Sequence, residues 1–259
     1  MNQLHAKSVV VGVDGSQAAV NAAEWAIVEA TSRQLPLRLV YVIPRTKARI
    51  VSARGEWDLE RGELALSQAA CAVHSAAKSE GEPVEVETAI LSGDPDQVLI
   101  NESQDAALVC VGTARRGWVA DKLLGPIAGA LVRRARCPVA IIRTNPDGSP
   151  TKVGVISVVL NDEPDNDEVV HQAMEEGRRR HATVRQIDRR ANSWVRRYPD
   201  VPVQLVAAGT GAKATENHSS AIDLAVVGRA EADQIAGLAT PNCHPILGFP
   251  NCSVLLVRD

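Results

Sequence analysis

The first 144 residues alternate between two patterns of apolar residues. Short runs rich in Val, Ile and Leu are nearly continuous, which is typical of strands buried in a sheet. The longer stretches between them repeat apolar residues at helical spacing, which is typical of helices that pack on one side. The runs predict strands at 8–13, 37–43, 84–91, 107–111 and 138–142, and the stretches predict helices at 18–33, at 57–80, from Asp94 onwards and at 125–136.

Strands that alternate with helices one by one predict a parallel sheet with right-handed crossovers. Only 3% of the residues are aromatic, so the core must be built from aliphatic residues and Ala, as in parallel sheets covered by helices. We therefore predict an α/β fold of the flavodoxin-like, doubly wound type. The strand order that we expect for each domain is 3-2-1-4-5.

The pattern starts again after a turn-rich segment, TNPDGSP, at 144–150. We predict two tandem domains, 1–144 and 151–259, with five strands each. The second domain is shorter, mostly because the counterpart of the long helix at 57–80 spans only about 192–197. The matches between the halves keep the same order: 152–160 with 7–13, 173–180 with 26–33, 202–206 with 83–87, 224–228 with 108–112 and 252–258 with 137–143.

Charge, cysteines and the chain start narrow the class of protein. A formal net charge of −3 gives no field that would attract nucleic acid or an anionic membrane. The start of the chain lacks a signal-peptide pattern and no window reaches the length of a membrane span, so a cytoplasmic protein is expected. The cysteines lack metal-binding spacing and are interpreted as reduced thiols: Cys71, Cys110, Cys137, Cys243 and Cys252.

Ligands of open parallel sheets bind beyond the carboxyl ends of the strands, where the strand order reverses. Two loops of the first half should meet there. One is 12–16, where the Asp14 carboxylate can accept hydrogen bonds from a purine amine or a ribose hydroxyl, or can hold the turn. The other is 112–126, whose glycines and following helix offer backbone N–H groups to phosphate, with Arg115, Arg116 and Lys122 adding positive charge.

These loops, together with the segment CPVAIIR at 137–143, resemble the universal stress protein family, strongly over 8–143 and more weakly over 152–258. In the nucleotide-binding branch of that family the loop reads G-x2-G-x9-G-[S/T], and Gly112 and Gly125 match its first and last glycines. The resemblance implies the adenine nucleotide alpha hydrolase-like form of the fold and bound ATP. ADP or another adenine nucleotide is an alternative, and Mg²⁺ could accompany it.

The resemblance also implies the residues that contact the nucleotide. Asp14 and Val42 would lie at the adenine end, and Lys122 stands where the family often has a basic residue. The other implied contacts, around the ribose and phosphates, are Gly12, Val13, Gly15, Gly112, Thr113, Ala114, Arg115, Arg116, Gly117, Trp118, Gly125, Pro126 and Ile127.

Two positions depart from the family loop. Arg115 replaces its second glycine, although Gly117 follows two residues later, and Pro126 replaces the final Ser or Thr. Pro126 offers neither a hydroxyl nor an N–H, so up to two phosphate donors are lost. Arg115 could restore a guanidinium contact or could fill the pocket, and an empty or altered cleft is the alternative to a bound nucleotide.

The second half lacks these features. Its first strand ends in LNDEPD at 160–165 instead of the V-D-G-S turn, and Glu231 and Asp233 stand where phosphates would lie. Like charges oppose phosphate binding, so we predict nucleotide in the first domain only.

The remaining polar clusters have simpler interpretations as surface or loop residues, so no metal site, catalytic residue or nucleic-acid partner is predicted. They are the acidic residues at 162–168, the arginines at 178–197, the set Cys243, His244 and Cys252, and His218 with its neighbouring serines.

The preferred hypothesis is a cytosolic nucleotide-binding regulator of a stress or growth-arrest response, whose bound state changes a surface read by an unidentified protein partner. An interaction scaffold of the same fold without nucleotide is the alternative. An ATP-consuming enzyme ranks third, because no activated nucleophile or acid–base pair is present, and slow ATP hydrolysis is the most that we expect. The apolar segments 139–142 and 254–257 suggest that the halves imitate a dimer within one chain, as family dimers pair these strands, and a further homodimer is an additional possibility.

Overall fold

The chain is described here from a computed structural model. The boundary between its two compact units falls between Pro150 and Thr151. The structure describes residues 7–44, 53–81, 83–114, 125–159, 166–188, 196–207, 222–229 and 252–258.

The first unit is a parallel sheet of five strands in the order β3-β2-β1-β4-β5. This order is the predicted 3-2-1-4-5, and the α/β, doubly wound class is confirmed. In chain order its elements are β1 Ser8–Val13, α1 Gln17–Arg33, β2 Leu37–Ile43, α2 Ala53–Glu80, β3 Val86–Ser92, α3 Pro95–Glu102, β4 Ala106–Ala114, α4 Pro126–Arg134 and β5 Val139–Thr144.

The core of the first unit lies between the sheet and its helices. The apolar residues of β1, β4 and β5 are almost completely buried. On α1, Ala22, Ala23, Ala26 and Ala30 have no exposed surface, and these small side chains let the helix lie close to the strands. The α1 and α2 helices pack against each other, as do α3 and α4.

The helix ends follow local sequence signals. The Ser16 side chain accepts a hydrogen bond from the Ala19 N–H at 3.2 Å, which caps the start of α1. Pro95 and Pro126 occupy the first turns of α3 and α4, where a missing N–H costs nothing. The predicted helix at 125–136 therefore begins one residue later, and it ends at Arg134.

The turn-rich segment at 144–150 is an ordered structure in its own right. The Asn145 N–H donates to the Ser149 carbonyl at 3.0 Å, and Thr144 pairs with Pro150 as an antiparallel bridge. The Asp147 carboxylate accepts hydrogen bonds from the Ser149 hydroxyl and N–H, which hold the pKa of Asp147 below its ordinary value.

The second unit repeats the topology of the first. Its sheet has the order β8-β7-β6-β9-β10. With the strands numbered within the unit, this order is again 3-2-1-4-5. The helix predicted at 192–197 lies partly outside the described residues, and Arg196 and Arg197 lie in a turn. The elements are β6 Val155–Val159, α5 Asn166–Arg180, β7 Thr183–Asp188, β8 Val203–Ala207, β9 Leu224–Val227 and β10 Ser253–Leu256.

Candidate functional site

The register of the first sheet brings the predicted site residues to one edge. Gly12 pairs with Val40 on one side and with Val111 on the other, and Val13 pairs with Tyr41. Asp14 follows Val13 directly after the end of β1, Val42 follows Tyr41 on β2, and Thr113 lies two residues beyond Val111 on β4. This is the carboxyl edge between β1 and β4, where the strand order reverses and where ligands of such sheets bind.

The Asp14 corner is a tight turn with a structural role for its carboxylate. The Asp14 Oδ1 atom accepts a hydrogen bond from the Ser16 N–H at 2.9 Å, and the side chain is exposed. Gly15 has φ +83°, a left-handed conformation that favours glycine. The carboxylate therefore shapes the turn at the edge of the cleft and also lies within reach of solvent.

The two strand glycines are required by packing. A β-carbon on Gly112 would lie 1.9 Å from the Ala18 carbonyl oxygen of α1. A β-carbon on Gly12 would lie 2.9 Å from the Leu99 side chain of α3 and 3.4 Å from Val111. Gly112 thus allows the first turn of α1 to touch the backbone of β4, a reason for glycine that is independent of any ligand.

The start of α4 offers backbone donors at the same edge, since α4 follows β4 in the crossover to β5. Gly125 is the N-cap residue without a side-chain hydrogen bond, and the first intrahelical N–H is that of Gly129, which donates to the Gly125 carbonyl at 3.0 Å. The N–H groups of Ile127 and Ala128 come before it and have no helical acceptor. The turn containing the exposed Pro126 can therefore still present two N–H groups and the helix dipole to an anion.

The middle of the glycine loop lies outside the described residues. This applies to the predicted contacts Arg115, Arg116, Gly117, Trp118 and Lys122. Of the described predicted contacts, Val42, Thr113 and Ile127 are half-buried and Val13 is buried.

Asn21, a residue of α1 with a buried side-chain amide, is not among the residues that the sequence pattern predicts for this edge. Its Nδ2 donates to the Thr144 hydroxyl and to the Gly148 carbonyl, both at 3.1 Å, and its Oδ1 accepts from Gln17 at 2.9 Å. These bonds fix the turn at 144–150 to α1. The sequence signal is an Asn on a face that otherwise consists of alanines.

The arginines at the end of α5 are engaged in ion pairs. Arg178 donates to both carboxylate oxygens of Asp200, at 2.6 and 2.9 Å, which lowers the pKa of Asp200 to about 2 and raises that of Arg178. Arg179 and Arg180 bind the fully buried Glu176 carboxylate at 2.7 and 2.9 Å. These bonds give the three arginines a role within the unit.

The described part of the chain has neither a metal-binding cluster nor a membrane-spanning helix. No cluster of three or more His, Cys, Asp or Glu side chains there could hold a metal ion. No helix within the same residues is long and apolar enough to cross a membrane. Most of the acidic cluster predicted to be a solvated loop, and also His218, Cys243 and His244, lie outside the described residues.

Comparisons with known structures agree with the fold. A universal stress protein from Archaeoglobus fulgidus superposes with a TM-score of 0.67 at 14% identity, over 98% of this chain and 97% of that chain. A family protein from Arabidopsis thaliana, whose crystal structure has AMP bound, matches 56% of this chain and 96% of its own at 24% identity, with a TM-score of 0.41.

A sequence relative matches nearly the whole chain, and a family model matches its first half. The universal stress protein Rv2624c of Mycobacterium tuberculosis is 38% identical over an alignment that spans 97% of this chain and 96% of its own. The model of the universal stress protein family matches residues 5–143. The chain therefore belongs to the universal stress protein family.

Proposed function

We propose that the first unit binds an adenine nucleotide, with ATP as the expected ligand, and that the bound state regulates a stress or growth-arrest response. One observation carries the proposal. The strand register brings the carboxyl ends of β1, β2 and β4 together where the strand order reverses, and Asp14, Val42 and Thr113 lie within two residues of the last paired positions, Val13–Tyr41 and Gly12–Val111. The N-terminus of α4 supplies N–H groups to the same side of the sheet.

Each part of the edge has a chemical role in this proposal. Asp14 accepts a hydrogen bond from the adenine amine or the ribose, and the half-buried Val42 packs on the base. Gly12, Val13 and Gly15 with Gly112, Thr113 and Ala114 form the floor under the ribose. The N–H groups of Ile127 and Ala128 face the phosphates, beyond Gly125 and Pro126, and the loop 115–122 contributes its basic side chains.

The restriction to the first unit is supported by the strand ends. Val9 and Ile156 hold matching places, since they pair with Leu37 and Leu108 and with Val184 and Leu224, respectively. In this register the position of Gly12 in the first unit is occupied by Val159 in the second. In the sequence, Val159 is followed by LNDEPD at 160–165, which lacks the V-D-G-S turn found at 13–16, and its acidic residues oppose an anionic ligand.

A scaffold that binds no nucleotide is the second candidate, and specific contacts favour it. The Asp14 carboxylate is engaged by the Ser16 N–H, and Gly112 is required by its contact with α1. Both residues would therefore be needed even in a protein with an empty cleft. For the same reason a Gly112 variant is unsuitable for a binding test, since it would disturb the fold.

Calorimetric titration of the full chain with ATP separates the two candidates. We expect saturable binding with one site per chain, weakened about tenfold or more in Asp14→Ala. Asp147→Ala is the matched control, because Asp147 also accepts an N–H two residues on, from Ser149 at 2.9 Å. No heat of binding at millimolar ATP would favour the scaffold, and equal losses of affinity in both variants would show that the Asp14 carboxylate has no specific role in binding.

Several features stay predictions of this proposal. They are slow ATP hydrolysis at most, Mg²⁺ as a companion ion, a cytoplasmic location, an unidentified regulatory protein partner, the pairing of the two halves in one chain, and a homodimer of such chains.

A further inference from the structure

An apolar stripe runs along the outer face of α2, on the side opposite its contacts with the sheet. Of the large apolar side chains that are exposed in the described residues, Trp57 at 66% and Leu64 at 60% lie on this face, and Leu59 at 44% lies on another side of the same helix. The inward face consists of Ala65, Leu66, Ala69, Val73 and Ala77, which are buried.

Trp57, Leu64 and the exposed Cys71 follow one another at intervals of seven residues. A seven-residue repeat of apolar side chains forms a straight seam for a second helix, because it nearly matches two helical turns. Lys78 continues the repeat at the end of the helix and is exposed. An exposed apolar seam on a helix that already packs well on its other face marks an interaction surface.

The acidic residues of α2 are concentrated in its first half. The seven residues from Trp57 to Glu63 include three acidic residues and one basic residue, Arg61, whereas the remainder from Leu64 to Glu80 has Lys78, His74 and one acidic residue, Glu80, at its last position. An antiparallel pair of these helices therefore places each acidic half opposite the Lys78 half of the other helix, whereas a parallel pair would bring the two acidic halves together. The helix dipoles are also opposed favourably in this arrangement.

We propose that the occupant of this seam is the α2 helix of a second copy of the chain, packed antiparallel around a twofold axis. A twofold contact requires a surface that is complementary to itself. This seam meets the requirement, because its apolar positions face each other when one copy is turned antiparallel to the other. With the axis between Ser67 and Gln68, Leu64 faces Cys71 of the second copy and Trp57 faces Lys78. The first pair is apolar, and the second places an ammonium group on an indole ring, which is a favourable contact.

A cysteine pair tests this register directly. In Leu64→Cys, the new cysteine of each copy should form a disulfide with the native Cys71 of the other copy when diamide is added. For each disulfide, one diamide molecule takes up the two thiol hydrogens. The link should be absent in Leu64→Cys with Cys71→Ser and in Leu59→Cys, because Leu59 points away from the seam. Failure of the Leu64→Cys variant to link, or equal linking of Leu59→Cys, would overturn the proposal.

Sedimentation of the unmodified full chain gives the second test. We expect a dimer whose dissociation constant rises about tenfold or more in Leu64→Glu and remains within about twofold in Leu59→Glu. The two leucines are exposed on the same helix, so their effects on folding should be alike. At about 100 µM, a contact with a micromolar dissociation constant is mostly formed. A chain that stays monomeric at this concentration, or a dimer whose dissociation constant is unchanged by Leu64→Glu, contradicts the proposal.

Discussion

The first helices of the two units, α1 and α5, match residue by residue at an offset of 147 positions. Both end in a residue with positive φ, Gln34 at +55° and His181 at +52°. The N–H of Leu35 donates to the Ala30 carbonyl at 3.0 Å, and the N–H of Ala182 donates to the Gly177 carbonyl at 2.9 Å. The way in which the helix returns to the second strand is thus the same in both units.

A buried carboxylate is also repeated. Glu29 in α1 and Glu176 in α5 have no exposed surface, and each is bound by an arginine four residues later, Arg33 and Arg180. A buried charge is tolerated when it is paired and hydrogen-bonded. The duplication has therefore kept the packing and pairing of the helix even where the loops at the carboxyl edge differ.

The units differ at the fourth strand, where Gly112 corresponds to Gly228. A β-carbon would lie 1.9 Å from the backbone of α1 at Gly112, but 3.2 Å from the end of the Val169 side chain at Gly228. The first unit holds its helix in direct contact with the strand backbone, while at this point of the second a side chain lies between them. Close approach at the predicted nucleotide edge is therefore a feature of the first unit.

The largest expected effect breaks this contact. Gly112→Ala should lower the free energy of unfolding by about 3 kcal/mol or more, because the helix or strand backbone must move, whereas Gly228→Ala should cost within about 1 kcal/mol. Urea unfolding of the full chain, followed by circular dichroism, compares the two. Equal costs would mean that the difference in helix contact has been misjudged.

Removing the buried ion pairs should have a smaller effect. Arg33→Met and Arg180→Met each leave a buried carboxylate with one cation fewer, so we expect losses of about 2 kcal/mol in either unit. Hydrogen exchange read separately on α1 and α5 assigns each loss to its own unit. A variant with unchanged exchange in its own helix would show that the pair does not stabilise that unit.

Substitutions at the helix ends should raise the free energy of unfolding instead of lowering it. Gln34→Gly and His181→Gly relieve a left-handed conformation that side chains disfavour, so each should gain about 0.5–1 kcal/mol. Thermal unfolding of the single and double variants measures this, and gains that fail to add would count against independent units.

The smallest effect depends on pH and concerns the second unit. The pKa of Asp200 is lowered to about 2 by Arg178, from 3.8 in the unfolded chain. Because the folded value lies below the unfolded value, this ion pair stabilises above about pH 4 and loses its effect as the pH falls towards about 2. In Asp200→Asn the melting temperature should fall less between these pH values, and α1, with Thr31 in the place of Arg178, should be unaffected.

Much of the first sheet could be predicted from the sequence. Strands 8–13 and 37–43 agree with β1 and β2 to the residue, because their apolar runs end at clear turn signals. The strand predicted at 107–111 continues to Ala114 as β4, since Thr113 and Ala114 pair with Arg143 and Thr144 of β5. That pairing depends on the neighbouring strand, so the apolar pattern of residues 112–114 alone does not indicate it.

The second sheet shows where the pattern fails. β7, with the sequence TVRQID, was not placed by the apolar pattern. Its Arg185 is buried, and the Nε atom donates to the Gln204 side chain of β8 at 3.0 Å. A polar residue can occupy a strand interior when a neighbouring strand satisfies it, and that partner cannot be read from local periodicity.

The sheet edge that carries the candidate site could be predicted from the sequence, but the structural reasons for its residues could not. The glycines and Asp14 fall at the predicted edge, as strand–turn–helix order requires. The contact between Gly112 and Ala18 depends on the distance between helix and strand, which no motif states. The same applies to Asn21, two of whose partners, Thr144 and Gly148, lie more than 120 residues further along the chain.

Hydrogen exchange of the full chain with and without saturating ATP tests the central claim most directly, because it reads both units in one sample. We expect slower exchange at residues 12–16 and 125–129 when ATP is present, and unchanged exchange at 156–159 and 224–228. Protection confined to the second unit, or no change in either unit at millimolar ATP, would contradict nucleotide binding by the first.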